Sequence, residues 1–406
     1  MAADTIPSRL FTQARQRPEE PAYCIKVHGA WKATRWKDYV AEVRRAARSL
    51  LALGLGPGSA VTMLGFNRPE WVVLDFAAMC VGAVPAGIYT TCSAEEVQYI
   101  LNHSEAAVIL VENAAQWEKV RAKRSELPHL KRVVTMRGAE KIDDPLVLDW
   151  EAFLALGADV PESRVDERIE ALEPAGLATL IYTSGTTGPP KAVMLSHENL
   201  AWTSRTAADL VDGRSSDVML SYLPLSHIAE QMFTVHGAAT TGYCVYFAES
   251  IEKVPDDLKS VQPTVFFGVP RIWEKFHAGI AAKLRDAKGA KAALVKWARG
   301  VASAVHALKN RGESPGAALD LQYRLAQKLV FSKLRTAVGL GRARMCVSGA
   351  APVGVNVLEF FASLDIPVHE VYGQSEDTGP TSFNHVGKTK LGSVGTALRG
   401  VEVKIG

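Results

Sequence analysis

The stretch from Ala60 to Val111, AVTMLGFNRPEWVVLDFAAMCVGAVPAGIYTTCSAEEVQYILNHSEAAVILV, decides the fold class. It opens with AVTMLG and closes with AAVILV, two short apolar runs of the kind strands show when both faces are covered. Between them, Glu70 to Met79 reads as a helix. Strand, helix and strand in this rhythm specify a parallel sheet with crossover helices. Upstream, Trp36 to Leu53 carries apolar residues at helical spacing and ends at Gly54, a C-terminal cap. Downstream the rhythm returns, with strands expected at Val218–Leu223, Tyr243–Phe247, Thr264–Gly268 and Met345–Ser348 and a helix over Ala229–Thr240. The expected class is α/β, with stacked, mostly parallel sheets flanked by helices. From Val394 the chain alternates apolar and polar residues, which predicts a small antiparallel β element near the C-terminus. The alternation is still running at Gly406, and we read the chain as cut from a longer protein.

The 406 residues are 48% apolar and 22% charged with a net charge of +3, which places the chain in the globular class and excludes disorder as its main state. A single core stops growing below this length, so subdomains with clefts between them are expected. The division expected is 1–200 and 201–360 as α/β subdomains, then 361–406 with a nucleotide motif and the start of the β element. The five cysteines (Cys24, Cys80, Cys92, Cys244 and Cys346) form no C-x-x-C pair and have no histidine at metal spacing, which argues against a disulfide scaffold or a zinc site. The longest uncharged stretches, Phe76–Ala94 and Gln231–Ala248, are interrupted by Gly, Pro or Thr and do not read as membrane spans. Nothing at Met1–Leu10 reads as a secretory signal. A cytoplasmic protein, at most peripheral to the inner face of a membrane, is expected.

Charge is unevenly spread. Between Ala281 and Arg344 there are fourteen Lys or Arg against three acids, so this segment carries +11 and the remainder −8. Solvated helix faces account for such a segment, as does a surface for an anionic membrane or a polyanionic cosubstrate. No nucleic-acid-binding motif accompanies the charge, and nucleic acid is not expected as a partner.

The densest chemical signal is Leu180–Leu200, LIYTSGTTGPPKAVMLSHENL. An apolar strand end runs into Thr183, Ser184, Gly185, Thr186, Thr187 and Gly188, and Lys191 follows Pro189 and Pro190. Four hydroxyls and two glycines in six residues can turn N–H and O–H groups toward one anion, and the lysine adds a full positive charge. That is a phosphate cradle. It is not a Walker A loop, in which the second glycine directly precedes the lysine.

This loop and three further segments resemble the adenylate-forming superfamily of acyl-CoA synthetases, peptide-synthetase adenylation domains and luciferases. Ala192 stands where that family has glycine. VHEVYGQSEDTGP (Val368–Pro380) is similar to the family's second nucleotide motif. The resemblance implies that Tyr372 stacks on adenine and that Gly373 and Gln374 line the nucleotide site. It further implies that Ser375 lies near the α-phosphate and that Glu376 binds the magnesium. An aromatic face suits a purine and a carboxylate is the hard oxygen ligand magnesium prefers. CVSGAAP (Cys346–Pro352) resembles the turn lining the adenine pocket, with Gly349 and Ala350 allowing close backbone approach. SYLPLSHIAEQ (Ser221–Gln231) resembles the acyl end of the site in long-chain fatty acyl-CoA synthetases, which implies that His227 sits beside the reacting carboxylate or gates the acyl channel. Gln231 occupies the position where some relatives place an aromatic gate.

VQPTVFFGVPRIWEKF (Val261–Phe276), LVFSKLRTAVGL (Leu329–Leu340) and FFASLDIP (Phe360–Pro367) are similar to the bubblegum branch of the long-chain enzymes. The function this implies is a long-chain fatty acid–CoA ligase using ATP, Mg2+ and coenzyme A, with Thr183, Lys191, His227 and Glu376 as the catalytic candidates. The family continues into a ribose-binding aspartate and a small lid with a catalytic lysine; neither is found before Gly406, so impaired turnover is expected of this chain. Two alternatives remain open at this point. One is an adenylating enzyme for an aryl or amino acid, and the other is a non-catalytic acyl-adenylate or lipid-binding protein.

Overall fold

The computed structural model describes residues 3–183 and 188–404 and divides into two compact units. The first comprises residues 1–205, 214–216 and 221–250, and the second 206–213, 217–220 and 251–406. In the first unit the strands are β1 (Pro21–Val27), β2 (Ala30–Arg35), β3 (Ala60–Leu64), β4 (Val84–Ile88), β5 (Ala106–Val111), β6 (Arg132–Thr135), β7 (Val147–Asp149), β8 (Leu177–Thr183) and β9 (Lys191–Ser196). Next come β10 (Val218–Ser221), which straddles the unit boundary, and β11 (Cys244–Phe247). The second unit holds β12 (Val265–Gly268), β13 (Met345–Ser348), β14 (Val368–Gln374), β15 (Gly379–Phe383) and β16 (Thr396–Ala397).

The main sheet of the first unit has the order β7-β6-β5-β3-β4-β8-β9 and is parallel except for the final β8–β9 hairpin. Every residue of β3, β4 and β5 is buried, because crossover helices cover both faces. The helix Pro69–Cys80, which joins β3 to β4, is itself buried at every position. The helix Trp36–Ala52 instead buries one stripe, including Trp36, Val40, Val43, Ala47 and Leu50, at the spacing of an amphipathic helix. It ends where Gly54 takes a φ of +76°. In a smaller sheet β1 pairs with β11 in parallel and with β2 antiparallel.

In the second unit β12, β13 and β14 are parallel, and β15 and β16 extend the same sheet antiparallel. The antiparallel element anticipated near the C-terminus is therefore the far edge of this five-stranded sheet. It is also shorter than the alternation suggested. Residues 401–404 form no strand, since alternation makes a strand only where an edge is available to pair.

The helix expected over Ala229–Thr240 is present but interrupted. Ile228–Gln231 and Gly237–Thr241 are α-helical, and Met232–His236 forms a π-turn. Tyr243 Oη donates to the Phe233 carbonyl, which draws that group out of the regular ladder. A Cβ on Gly237 would lie 2.4 Å from the same Tyr243 oxygen, so glycine is required for the ring to reach.

Candidate active site

In the second unit, β13 and β14 run side by side with Ser348 opposite Glu370, so both strands release their chains at the same edge of the sheet. In open α/β sheets this carboxyl edge is where ligands bind. Gly349 and Ala350 leave β13 there. A Cβ on Gly349 would lie 2.6 Å from Val371 Cγ1, so what its missing side chain admits is the neighbouring strand. Ala350 has a φ of +70°, a left-handed conformation that costs an alanine about 1 kcal/mol or more and that the surrounding turn must impose. Beside it, at the end of β14, Tyr372 is 49% exposed. Exposure then alternates along the strand end: Tyr372, Gln374 and Glu376 are open to solvent and Gly373 and Ser375 are half-buried. Gly373 is fixed by packing, since a Cβ there would sit 1.8 Å from the Gly379 oxygen of the paired strand β15.

Three acids lie in this segment, and the structure separates them. Glu370 is buried and accepts the Gly392 N–H at 3.0 Å. Burial, the largest influence, raises its pKa against the hydrogen bonds from Gly392, Ser393 and Asn384. Asp377 accepts the Gln374 N–H at 3.1 Å and the Thr381 hydroxyl, closing the single 3-10 turn Ser375–Asp377. Glu376 projects from that turn with no hydrogen-bond or ion-pair partner among the described residues. It is the one of the three whose carboxylate is free for a ligand. No cluster of three His, Cys, Asp or Glu exists among the described residues. A single free carboxylate is a donor magnesium accepts when substrate phosphate oxygens and water complete its shell.

In the first unit, β8 and β9 form a hairpin on either side of the segment expected to cradle phosphate. Thr183 and Lys191 face each other across it in register. Lys191 is exposed and has no ion-pair partner among the described residues. Ser184, Gly185, Thr186 and Thr187 lie outside the described residues. Gly188 follows them with a φ of +85° and open space where a Cβ would be, so its conformation requires glycine. Ala192 sits inside β9 opposite Tyr182, with its methyl against the apolar cluster of the main sheet.

His227 begins the helix Ile228–Gln231, and its Nδ1 accepts the Ala229 N–H at 3.1 Å. Burial lowers its pKa, which favours the neutral ring with its proton on Nε2. That N–H meets no partner among the described residues. The segment around it is held from two sides. A Cβ on Gly87 of β4 would lie 2.6 Å from Ser226 Cα, so the segment rests directly on the strand next to β8.

From the other side it is tethered by Glu230, which the sequence reading passed over. Glu230 is buried; Ser221 Oγ donates to its Oε1 at 2.6 Å, Thr234 Oγ1 donates to the same atom at 2.7 Å, and the Leu223 N–H reaches Oε2 at 3.2 Å. Asn67 Nδ2 donates both to Oε1 (3.2 Å) and to the Leu223 carbonyl (2.7 Å). Burial pushes the Glu230 pKa up to about 7 despite these donors. The clue in the sequence was a lone charge, since Glu230 is the only acid or base of fixed charge in Ser221–Gln231. Gln231 is fully buried, its Nε2 donating to the Leu225 carbonyl at 3.0 Å and its Oε1 lying 3.3 Å from His236 Nε2. It is a structural tie between the Leu225 carbonyl and His236.

In the second unit, an open strand end with an exposed aromatic ring and a free carboxylate can hold an aromatic base and a metal-bound phosphate; in the first unit, a hairpin whose lysine has no ion-pair partner among the described residues can hold a phosphate. The family model described as AMP-binding enzyme matches residues 10–406. The chain belongs to this family. Among curated proteins it is 40% identical over 396 residues to the long-chain-fatty-acid–CoA ligase ACSBG2 of Xenopus laevis, a match covering 95% of this chain and 52% of the relative. To human ACSBG2 it is 37% identical over 401 residues, covering 98% of this chain and 60% of the relative. The resemblance to the bubblegum branch therefore stands, and the chain spans about half the length of the curated relatives it matches. Among solved structures, the N-terminal domain of FACL13 from Mycobacterium tuberculosis superposes with a TM-score of 0.69 at 21% identity, covering 98% of this chain and 83% of that one. At that identity the likeness establishes the adenylating fold. No helix among the described residues is long and apolar enough to cross a membrane.

Proposed function

We propose that this AMP-binding chain belongs to a long-chain fatty acid–CoA ligase, which joins a fatty carboxylate to the α-phosphorus of ATP, releases pyrophosphate and passes the acyl group to coenzyme A. The observation that carries this reading is the Tyr372–Glu376 segment beside the Ala350 turn, where an exposed ring and an unpaired carboxylate lie four residues apart. In this reading Tyr372 covers the adenine face, and the Gly349–Ala350 backbone borders it. Ser375 donates toward the α-phosphate.

The obstacle to the first step is electrostatic: each like-charge contact at about 4 Å costs roughly 1 kcal/mol at the dielectric of water and more once water leaves. Lys191, with Thr183 and the loop that follows it, offsets this on the phosphate side. Magnesium held by Glu376 supplies further neutralisation of the phosphoryl oxygens when bound. His227, neutral with a free Nε2–H, orients the fatty carboxylate by a hydrogen bond without quenching its charge. Positioning and charge stabilisation do the chemistry, with no protein nucleophile.

The long acyl chain is supported by the names of the relatives and by the Ser221–Gln231 segment. Each methylene buried would contribute about 0.8 kcal/mol, so selection by length is gradual, about fourfold per carbon. The test is competition against ATP by non-hydrolysable acyl adenylates bearing palmitoyl, benzoyl or leucyl groups. The palmitoyl compound is expected to bind most tightly, and Lys191→Ala and Glu376→Ala are each expected to weaken ATP–Mg2+ binding about tenfold or more. Preference for the benzoyl or leucyl compound, or unchanged ATP affinity in both variants, would overturn the assignment.

A further inference from the structure

In the second unit, helix Ala317–Ala326, the π-turn Gln327–Phe331 and helix Ser332–Ala337 follow one another without a break and carry two unlike faces. One face is buried: Tyr323, Ala326 and Phe331 pack against Val301 and Val305 of the helix Gly289–Asn310. The other carries Leu321, Leu325 and Leu329, at 70%, 47% and 44% exposure. Single surface leucines need no explanation, but these three recur every four residues and form a ridge. Arg324 and Lys328 occupy the neighbouring row, three residues after Leu321 and Leu325, and Lys333 lies four residues beyond Leu329; all three are exposed. Arg324 pairs with Asp320 at 2.7 Å, whereas Lys328 and Lys333 have no ion-pair partner among the described residues. The ridge lies within the segment of 281–344 that holds fourteen basic residues against three acids.

We propose that this ridge docks on an anionic lipid bilayer, with the leucines entering the boundary between headgroups and acyl chains and the lysines facing lipid phosphates. An apolar stripe bordered by lysine and arginine is the pattern of an interfacial helix. Its charge also selects among occupants. A second copy of this chain packed face to face would bring the two basic borders together, a like-charge arrangement that opposes self-association. An anionic membrane supplies both the apolar medium and the opposite charge. Such docking would place the chain at the surface from which a poorly soluble lipid substrate is drawn, although the inference rests on the ridge alone and not on the reaction.

The experiment is co-sedimentation of the full chain with vesicles of phosphatidylcholine, alone or mixed with phosphatidylglycerol. Binding is expected to the mixed vesicles, and to weaken as salt rises. The exposed-site pair Leu321→Gln with Leu325→Gln should lower partitioning at least about tenfold. Lys328→Glu with Lys333→Glu should lower it by at least about fivefold per residue and abolish the preference for phosphatidylglycerol. Circular dichroism and the unfolding midpoint should be unchanged in both variants, which separates loss of docking from loss of fold. Absence of binding at low salt, binding untouched by the leucine pair, or indifference to lipid charge would overturn the proposal. So would a dimer that the leucine substitutions dissociate, which would assign the ridge to a second copy.

Discussion

Replacing Glu230 by glutamine should remove a specific part of the pH dependence of stability. In the folded chain burial holds this carboxyl at a pKa of about 7, against an ordinary value of 4.5. A raised acid contributes its stability in full below the unfolded value and loses it as pH climbs through the folded one, because ionising the group inside the protein is then the cost of staying folded. Each pH unit between the two values is worth about 1.4 kcal/mol, so roughly 3 kcal/mol should disappear between about pH 4.5 and pH 8. Two neighbours act in the opposite sense. Burial lowers His197 to about 4 and His236 to about 3, so each contributes stability that is present above pH 6.5 and is lost as pH falls toward those values. The wild-type profile is the sum of these terms and is flatter than any one of them.

The difference between wild type and Glu230→Gln isolates the carboxyl, since the histidines are common to both. Glutamine keeps the acceptor that Ser221 and Thr234 use. It places an NH2 where Oε2 accepts the Leu223 N–H, so a fixed penalty of about 1–3 kcal/mol is added at every pH. Urea unfolding followed by tryptophan fluorescence at closely spaced pH values should show wild type ahead by most at pH 4.5. That lead should fall by about 3 kcal/mol by pH 8, to parity or to an advantage for the variant. A difference that stays constant over the range would refute the reasoning, because it would mean that Glu230 is ionised throughout and that its donors outweigh its burial.

Three further outcomes follow from the candidate site. Tyr372→Ala should lower ATP affinity by about ten- to a hundredfold while changing stability by no more than about 0.5 kcal/mol, since the ring is half exposed; Phe should restore affinity, as read by nucleotide titration and thermal unfolding of the same preparations. Gly373→Ala should destabilise the second unit by about 2–3 kcal/mol or more, because the new Cβ meets backbone at 1.8 Å rather than a side chain able to turn aside; equal urea midpoints for variant and wild type would refute it. Gly349→Ala should be milder, since Val371 Cγ1 at 2.6 Å can rotate, and a loss exceeding that of Gly373→Ala would contradict the packing described.

Periodicity made most of the framework readable. AAVILV is a strand over the whole of Ala106–Val111, and Met345–Ser348 is a strand with the ends expected, because a run buried on both faces must be apolar throughout. Trp36–Ala52 was legible for the complementary reason, a single buried stripe and a glycine at the stop. The π-turn at Met232–His236 left no comparable trace, since it depends on a hydroxyl from Tyr243 outside the helix reaching back to a carbonyl within it. The two-residue length of β16 was likewise invisible, because pairing is decided by the partner strand and not by the alternation of the segment itself.

The site residues divide along the same line. Residue type and spacing marked Lys191, and the family resemblance marked Tyr372 and Glu376, as suited to a nucleotide, but suitability does not separate a group free to bind from one already satisfied. Glu370, Glu376 and Asp377 differ little on paper. Only the structure shows two of them committed to Gly392, Gln374 and Thr381 while the third faces solvent alone. His227 and Gln231 divide in the same way: one retains an unpaired Nε2–H, and the other spends both ends of its amide on Leu225 and His236. Glu230 is the reverse case, a residue whose importance lies in being fully spent. Its donors include Asn67, Ser221, Tyr222, Leu223 and Thr234, one of them more than 150 residues away along the chain, so no local pattern could announce it. A ligand site in this chain is thus a set of polar groups that the fold has positioned and then left unpaired, and the groups that do the positioning are those it has paired completely.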